Sequence, residues 1–412
     1  MTALDLEDLT FEEGAHLLLA RALAPLPPGG RVEVRGRAPA LAVHLRAWCR
    51  SRGHRVEWPG DEPTTTIAAA AGAGDAAPVA VVVRGEADDQ RWAGAERAGA
   101  PDPSAPGALV ERPPPAWGLA ARGALVEAGG PNVDFELDDR TVVWADVAPK
   151  LYAQAAAGQW DPATAVDWDA PRDHPADVEA AVVQVMSYLV ANEQAALVVP
   201  ARFLGRIHPH FREVVQLLAV QVADEARHVE VFTRRALLGG GGMGVSGAGG
   251  RASLATLVAE TDFSLASFLL SVLGEGSFLN LLAFLERHGP DPVTRQVSRL
   301  ALQDEARHVA FGLAHLEHQA RADPSFRHRL RAAVERRHDA LADTAGLNQE
   351  VFDALVVLAA GSWTPAALAE GHRRVGRLQA EMDEGRQRRL IRLGFPPAEA
   401  AALSALHTRN FM

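Results

Sequence analysis

The pentapeptide DEARH occurs twice, as Asp224–His228 and Asp304–His308, and each copy follows at a distance a glutamate in an apolar setting, Glu193 for the first and Glu275 for the second. On a helix, residues three apart share a face, so Glu225 with His228 and Glu305 with His308 each aim a carboxylate oxygen and a ring nitrogen at one point. The chain between them fixes the height of the distant glutamates. Glu275 lies 13 residues before His288, the chain reverses at Gly289 and Pro290, and Glu305 lies 13 residues after Pro292. With a rise of about 1.5 Å per helical residue, both acids stand at one level of an antiparallel pair. Glu193 and Glu225 are related in the same way about a turn near residues 201–210. Two such hairpins face to face bring four carboxylates and two imidazoles around one point, with an internal pseudo-twofold. That restricts the fold to a bundle of four long helices.

The neighbours of these acids predict burial: Met186, Leu189, Val190 and Leu197 surround Glu193, and Phe268, Val272, Phe278, Leu279 and Leu282 surround Glu275. Four buried carboxylates without partners would each cost several kcal/mol, more than a marginally stable fold carries, so the pattern points to metal. A third Glu-x-x-His, Glu335 to His338, lies in the charged stretch RAAVERRHD, lacks the preceding aspartate and has no upstream glutamate in an apolar helix. It reads as a solvated face. Asp224 and Asp304 lie one turn before their own histidines and are expected to accept the ring N–H turned away from the metal, with Arg227 and Arg307 neutralising the acids.

Composition narrows the chemistry further. Cys49 is the single cysteine, which rules out an intrachain disulfide and leaves oxygen and imidazole as the metal donors. A net charge of −11 argues against a nucleic-acid surface. The opening MTALDLEDLTFEEG is acidic where a secretory signal would be basic and then apolar, so a cytoplasmic location is expected. Residues 263–285 are long and apolar enough to suggest a membrane span, but Glu275 at their centre suits the inner helix of a metal-binding bundle better, and no membrane is expected.

Three regions are expected. Residues 1–85 read as a small α/β domain of order β-α-β-α-β-β: an opening around Leu4–Leu9, a helix through GAHLLLARALA, a strand RVEVRG, a helix through ALAVHLRAWCRSRG, a strand HRVEW, a loop rich in Thr, Ala and Gly, and a strand APVAVVVRG. Residues 86–140, with PDPSAPG, RPPPAWG and GGPNVD, read as a Pro/Gly-rich linker. Residues 141–412 form the helical domain, with a short helix ending in the Trp-rich stretch before Pro171, and long helices at about 177–200, 211–238, 253–288 and 293–321. Asp291 and Pro292 suit an N-cap and first helical position, and the glycine tract 239–250 is a flexible crossover. Further helices at 323–345, 348–360, 364–394 and 397–408 are expected outside the bundle.

The N-terminal segment resembles the TusA-like sulfur-carrier domain in element order, in LDLEDLTFEEG, in the PPGG turn and in AWCRSRGHRVEW. That family carries sulfur on a cysteine at the start of the first helix. The corresponding position here is Phe11, so the resemblance implies the fold without the thiol chemistry, and Cys49 reads as a buried structural residue.

The paired Asp-Glu-x-Arg-His with two distant glutamates resembles the ferritin-like di-iron carboxylate superfamily over residues 141–325, and its desaturase and monooxygenase branch in particular. The resemblance implies a mainly α fold, a ferritin-like four-helix bundle with extra helices, and carries the ligand roles onto Glu193, Glu225, His228, Glu275, Glu305 and His308. It implies two Fe ions, with Mn/Fe left open by the ligand types, O2 as co-substrate, an external electron donor of the ferredoxin- or flavin-reductase kind, and a small organic substrate. A homodimer is expected. The position four after His228, where the ribonucleotide reductase small subunit has its radical tyrosine, is Phe232, so radical storage is not expected. Tyr188, Gly274, Gly276, Phe278 and Phe232 are the expected lining of a substrate pocket, the two glycines flanking Glu275 with room for O2 or substrate, permitting a π-bulge, or, on equal footing, allowing close helix packing. Hydroxylation or N-oxygenation stands ahead of desaturation. Ferroxidase or peroxidase chemistry and a metal-stabilised binding scaffold are the other readings.

Overall fold

Alternation in the stretch RVEVR buries Val32 and Val34 and leaves the arginines at its ends in water, which makes it the half-buried strand at the heart of the first unit. The structure is a computed structural model that describes residues 2–58, 79–86, 92, 94–105, 107–341 and 349–408. The chain forms two compact units, one of residues 1–98 with 123–131 and one of residues 99–122 with 132–412. The Pro- and Gly-rich stretch read as a linker is therefore divided between them.

In the first unit, β1 (Thr2–Asp5), α1 (Ala15–Leu23), β2 (Arg31–Arg35), α2 (Leu41–Ser51), β3 (Arg55–Glu57) and β4 (Val79–Val83) follow the expected order. The sheet runs β1-β2-β4-β3, with β1 parallel to β2 and β4 antiparallel to both its neighbours. Leu19, Leu23, Leu45 and Cys49 from the helices close over Val32, Val34 and Val82. Burial pushes the Cys49 thiol up to about 12, which fits its structural reading. The Thr/Ala/Gly-rich loop lies outside the described residues. A two-stranded ribbon, β5 (Glu96–Arg97) with β6 (Leu125–Val126), belongs to the same unit.

The second unit is mainly α and is built on four long helices with extra helices around them, the expected fold class. After α3 (Arg140–Val143) and α4 (Ala148–Ala157) come α5 (Ala176–Leu204) and α6 (Arg212–Leu237), which form one hairpin. Then follow α7 (Ala248–Val258), α8 (Phe263–His288) and α9 (Pro292–Ala322), with α8 and α9 forming the second hairpin. Outside lie α10 (Phe326–Leu341), α11 (Gln349–Ala360), α12 (Pro365–Arg392) and α13 (Pro397–Thr408). The expected end of the helix at 323–345, the expected start at 348 and the residues between them lie outside the described residues.

Two expected helices change. Helix α5 runs through Pro200 to Leu204 instead of ending there, because the final turn buries Phe203 against Phe263 and keeps Val199 and Pro200 inside. The helix expected over 253–288 is two helices, because Asp262 caps a new start by accepting from Leu265 N at 2.9 Å. Within α8, residues Phe268–Glu275 are wound as a π-helix, and Gly276 N reaches back five residues to Ser271 O. The start of α9 is as predicted, with Asp291 accepting from Thr294 N at 2.8 Å and Pro292 following it.

At the end of the bundle away from Leu204, the wholly buried Arg235 ties three helices together. It donates to both oxygens of Glu179 at 2.7 and 2.9 Å, to Asp291 Oδ2 at 2.7 Å and to Thr294 Oγ1 at 2.8 Å. Helices α5 and α8 are both long and apolar enough to cross a membrane, yet 61% and 78% of their most apolar windows are buried inside the protein.

Candidate metal centre

Helical periodicity sets the cluster. On α6, Glu225 and His228 face inward from one turn, and on α9 Glu305 and His308 do the same, while α5 contributes Glu193 and the end of the π segment contributes Glu275. All six side chains are buried, Glu225 and His228 completely. The structure brings them together as two overlapping sets: Glu193, Glu225, His228 and Glu305, and Glu225, Glu275, Glu305 and His308, with the donor atoms of each set within 4.8 Å of one another. Glu225 and Glu305 belong to both. Glu193 with His228 and Glu275 with His308 are the private members of each.

Ring orientation follows from the aspartates. His228 Nε2 lies 3.2 Å from Asp304 Oδ2, and His308 Nε2 lies 3.2 Å from Asp224 Oδ2. An ionised carboxylate only accepts, so each Nε2 carries a hydrogen and each Nδ1 faces the cluster. His228 Nδ1 accordingly lies 3.2 Å from Glu225 Oε2 and 3.5 Å from Glu193 Oε2, and His308 Nδ1 lies 2.9 Å from Glu225 Oε1. This pairing corrects the sequence expectation. Each aspartate serves the histidine of the other motif, because α6 and α9 pack face to face and its own histidine, one turn on, points past it toward the centre.

Arg227 bonds Asp224 and lies 3.4 Å from Asp304 Oδ2, and Arg307 bonds Asp304 and lies 3.5 Å from Asp224 Oδ2. The two arginines and two aspartates form a closed, charge-balanced ring behind the histidines. Burial works against ionisation of both aspartates, but the histidines they face hold them below the usual carboxylate range.

Sequence reasoning missed three members. Gln159 donates to Asp224 Oδ1 at 3.1 Å, Trp160 Nε1 donates to Asp304 Oδ2 at 2.8 Å, and Gln221 donates to Glu275 Oε1 at 3.2 Å. The first two sit after α4 in a segment whose tryptophans were noted without a target. Gln221 stands one turn before Glu225 on the same face, which is the signal that could have found it.

The side chains demand a cation. Among the described residues, Glu225 Oε1, Glu275 Oε2, Glu305 Oε2 and His308 Nδ1 are buried with no hydrogen-bond partner, and all belong to the cluster. Without positive ions the centre must hold protons instead. Burial and then Glu225 push Glu193 up to about 8, burial and then Glu305 raise Glu275 well above the carboxylate range, and the carboxylates draw His228 and His308 well above ordinary imidazoles against the effect of burial. Four carboxylates balance two divalent ions, and oxygen with imidazole is a donor set suited to iron or manganese.

Beside the centre lies a cavity of about 30 Å³ lined by Asn192, Glu193, Leu269, Gly274, Glu275 and Phe278, with Leu254, Leu257 and Arg337 closing it. Gly274 and Phe278 thus line it as expected. Tyr188 stacks on Phe278 at 6.0 Å and lines a neighbouring cavity instead. Gly276 faces the other way: a Cβ there would lie 2.4 Å from the guanidinium carbon of Arg389, so its glycine serves close packing against α12. Phe232 is wholly buried behind His228, with ring centres 6.3 Å apart, and does not reach the cavity. Glu335 and His338 lie apart from the cluster, with Glu335 half exposed beside Arg331.

No protein-family model matches the chain, and no curated protein is similar to it. Among solved structures the chain is similar to an R2-like ligand-binding oxidase with aerobically reconstituted metal cofactor after photoconversion, at 18% identity over 64% of this chain and 90% of that one, with a TM-score of 0.40. Two variants of an R2-like ligand-binding oxidase with anaerobically reconstituted Mn/Fe cofactor are similar at 19% identity. One covers 61% of this chain and 97% of its own with a TM-score of 0.43, the other 60% and 92% with a TM-score of 0.44.

Proposed function

We propose that this chain is an O2-activating non-haem di-iron oxygenase or oxidase acting on a small organic substrate, with hydroxylation or N-oxygenation ahead of desaturation. The observation that carries the reading is the pair of overlapping, buried ligand sets that share Glu225 and Glu305. Two Fe ions, or Mn with Fe, bound in this cradle supply the Lewis acidity and the electrons that O2 reduction needs. The chain's own residues do the rest. Asp304 and Asp224 hold the imidazoles with Nδ1 inward, and Arg227 and Arg307 balance the charge of those aspartates. Gln221 holds one oxygen of Glu275. Leu254, Leu257, Leu269 and Leu270 keep the cavity wall apolar on the side of Glu193 and Glu275, and its volume of about 30 Å³ is on the scale of a diatomic gas or two waters. The electrons would come from an external donor of the ferredoxin- or flavin-reductase kind, the partner that the family resemblance implies.

The test is to load the protein with ferrous iron without air, admit O2 and follow O2 uptake together with products from a panel of amines, acids and thiols. Uptake coupled to an oxidised organic product is expected. Formation of ferric mineral alone would sink the oxygenase reading, and metal content near zero after iron-replete expression would sink metal chemistry altogether.

A further inference from the structure

Arg337 reaches the cavity from α10 and is only 8% exposed. Its guanidinium donates to Ser253 Oγ, and among the described residues its Nε has no hydrogen-bond partner and no carboxylate forms an ion pair with it. Other buried arginines here are answered by acids: Arg235 by Glu179 and Asp291, Arg122 by Glu213 at 2.7 Å. Arg389, also without a carboxylate, donates to Val272 O at 2.7 Å. A guanidinium does not shed its proton in proteins, so Arg337 is a buried positive charge whose partner is missing. The three glutamates that share the cavity, Glu193, Glu275 and Glu305, belong to the metal ligand sets and form no ion pair with it.

We infer that Arg337 anchors the carboxylate of a small organic acid, whose apolar body lies along Leu254, Leu257, Leu269 and Leu270 with its far end toward Glu275. This rests on the proposed function and names its substrate class. A planar guanidinium fork matches a carboxylate in two parallel hydrogen bonds, which selects this anion over a spherical one. The four metal-binding carboxylates already balance two divalent ions, so a fifth is drawn to the free cation and not to the metals. Free space of about 30 Å³ takes little more than the carboxylate as it stands, so binding of the apolar body requires the leucines of the wall to shift.

The test is calorimetric titration of the metal-loaded protein, kept free of O2, with the straight-chain acids from acetate to octanoate, with benzoate and with phenylacetate, each against its primary amide. At least one acid is expected to bind about tenfold or more tighter than its amide, with Arg337→Gln erasing that preference and Arg337→Lys keeping part of it. Amides that bind as well as acids, no saturable binding by any acid, or an undiminished preference in Arg337→Gln would overturn the inference. The wild-type comparison decides the matter even if Arg337→Gln fails to fold. Iron content and O2 uptake on the same samples separate the two proposals: a retained acid preference without O2 chemistry defeats the oxygenase reading and leaves the anchor standing.

Discussion

At the scale of single residues, the crossed pairing of aspartates and histidines makes an asymmetric prediction. Asp224 orients His308, which belongs to the ligand set of Glu275, so Asp224→Asn should weaken the ion on that side by about 10- to 100-fold and leave the His228 side much less affected. Competition with a chromophoric chelator, resolved into two steps, checks it. Equal loss in both steps would contradict the pairing. The six members of the buried cluster were legible because helical spacing writes them into the sequence twice. Gln159, Trp160 and Arg337 were not, since each reaches the site from an element whose packing no local period encodes. Gly276 stayed ambiguous between pocket and close packing for a related reason: a glycine tells of close approach without telling what approaches.

At the scale of elements, the π segment of α8 is the part under most constraint. Gly312 on α9 admits it: a Cβ there would lie 2.4 Å from Ser271 Cβ and 2.8 Å from its hydroxyl. Gly312→Ala should therefore destabilise the metal-free protein by about 1–3 kcal/mol by overpacking. Adding Ser271→Gly should recover most of that loss, read as the melting temperature of the two variants against wild type. Most helices were legible from caps and period, Asp291 with Pro292 being the clearest. The break at Asp262 was hidden because apolar residues continue on both sides of it, and the run through Pro200 because burial of Phe203 outweighs one missing N–H donor.

At the scale of the whole molecule, the metal-free centre sets how stability responds to pH. Glu193, raised from 4.5 to about 8, and His228 and His308, raised above 6.5, all bind protons more tightly folded than unfolded. Their contribution is full below the ordinary values and is lost as pH rises through the raised ones. Asp224 and Asp304, held low, act in the opposite sense and only in acid. The melting temperature of the metal-free protein should thus fall between about pH 6 and pH 9, and metal loading should abolish that fall, because ions replace the protons. A flat profile without metal would contradict the proton balance described for the cluster.

Sharing Glu225 and Glu305 between the two ligand sets, and crossing the aspartates between the two motifs, leaves neither hairpin with a complete site of its own. The first ion to arrive orders the two glutamates that the second also uses, so occupancy of the two sets is thermodynamically linked. The sequence repeats, but its halves are interdependent: α5 with α6, expressed without α8 and α9, would hold no ion at all.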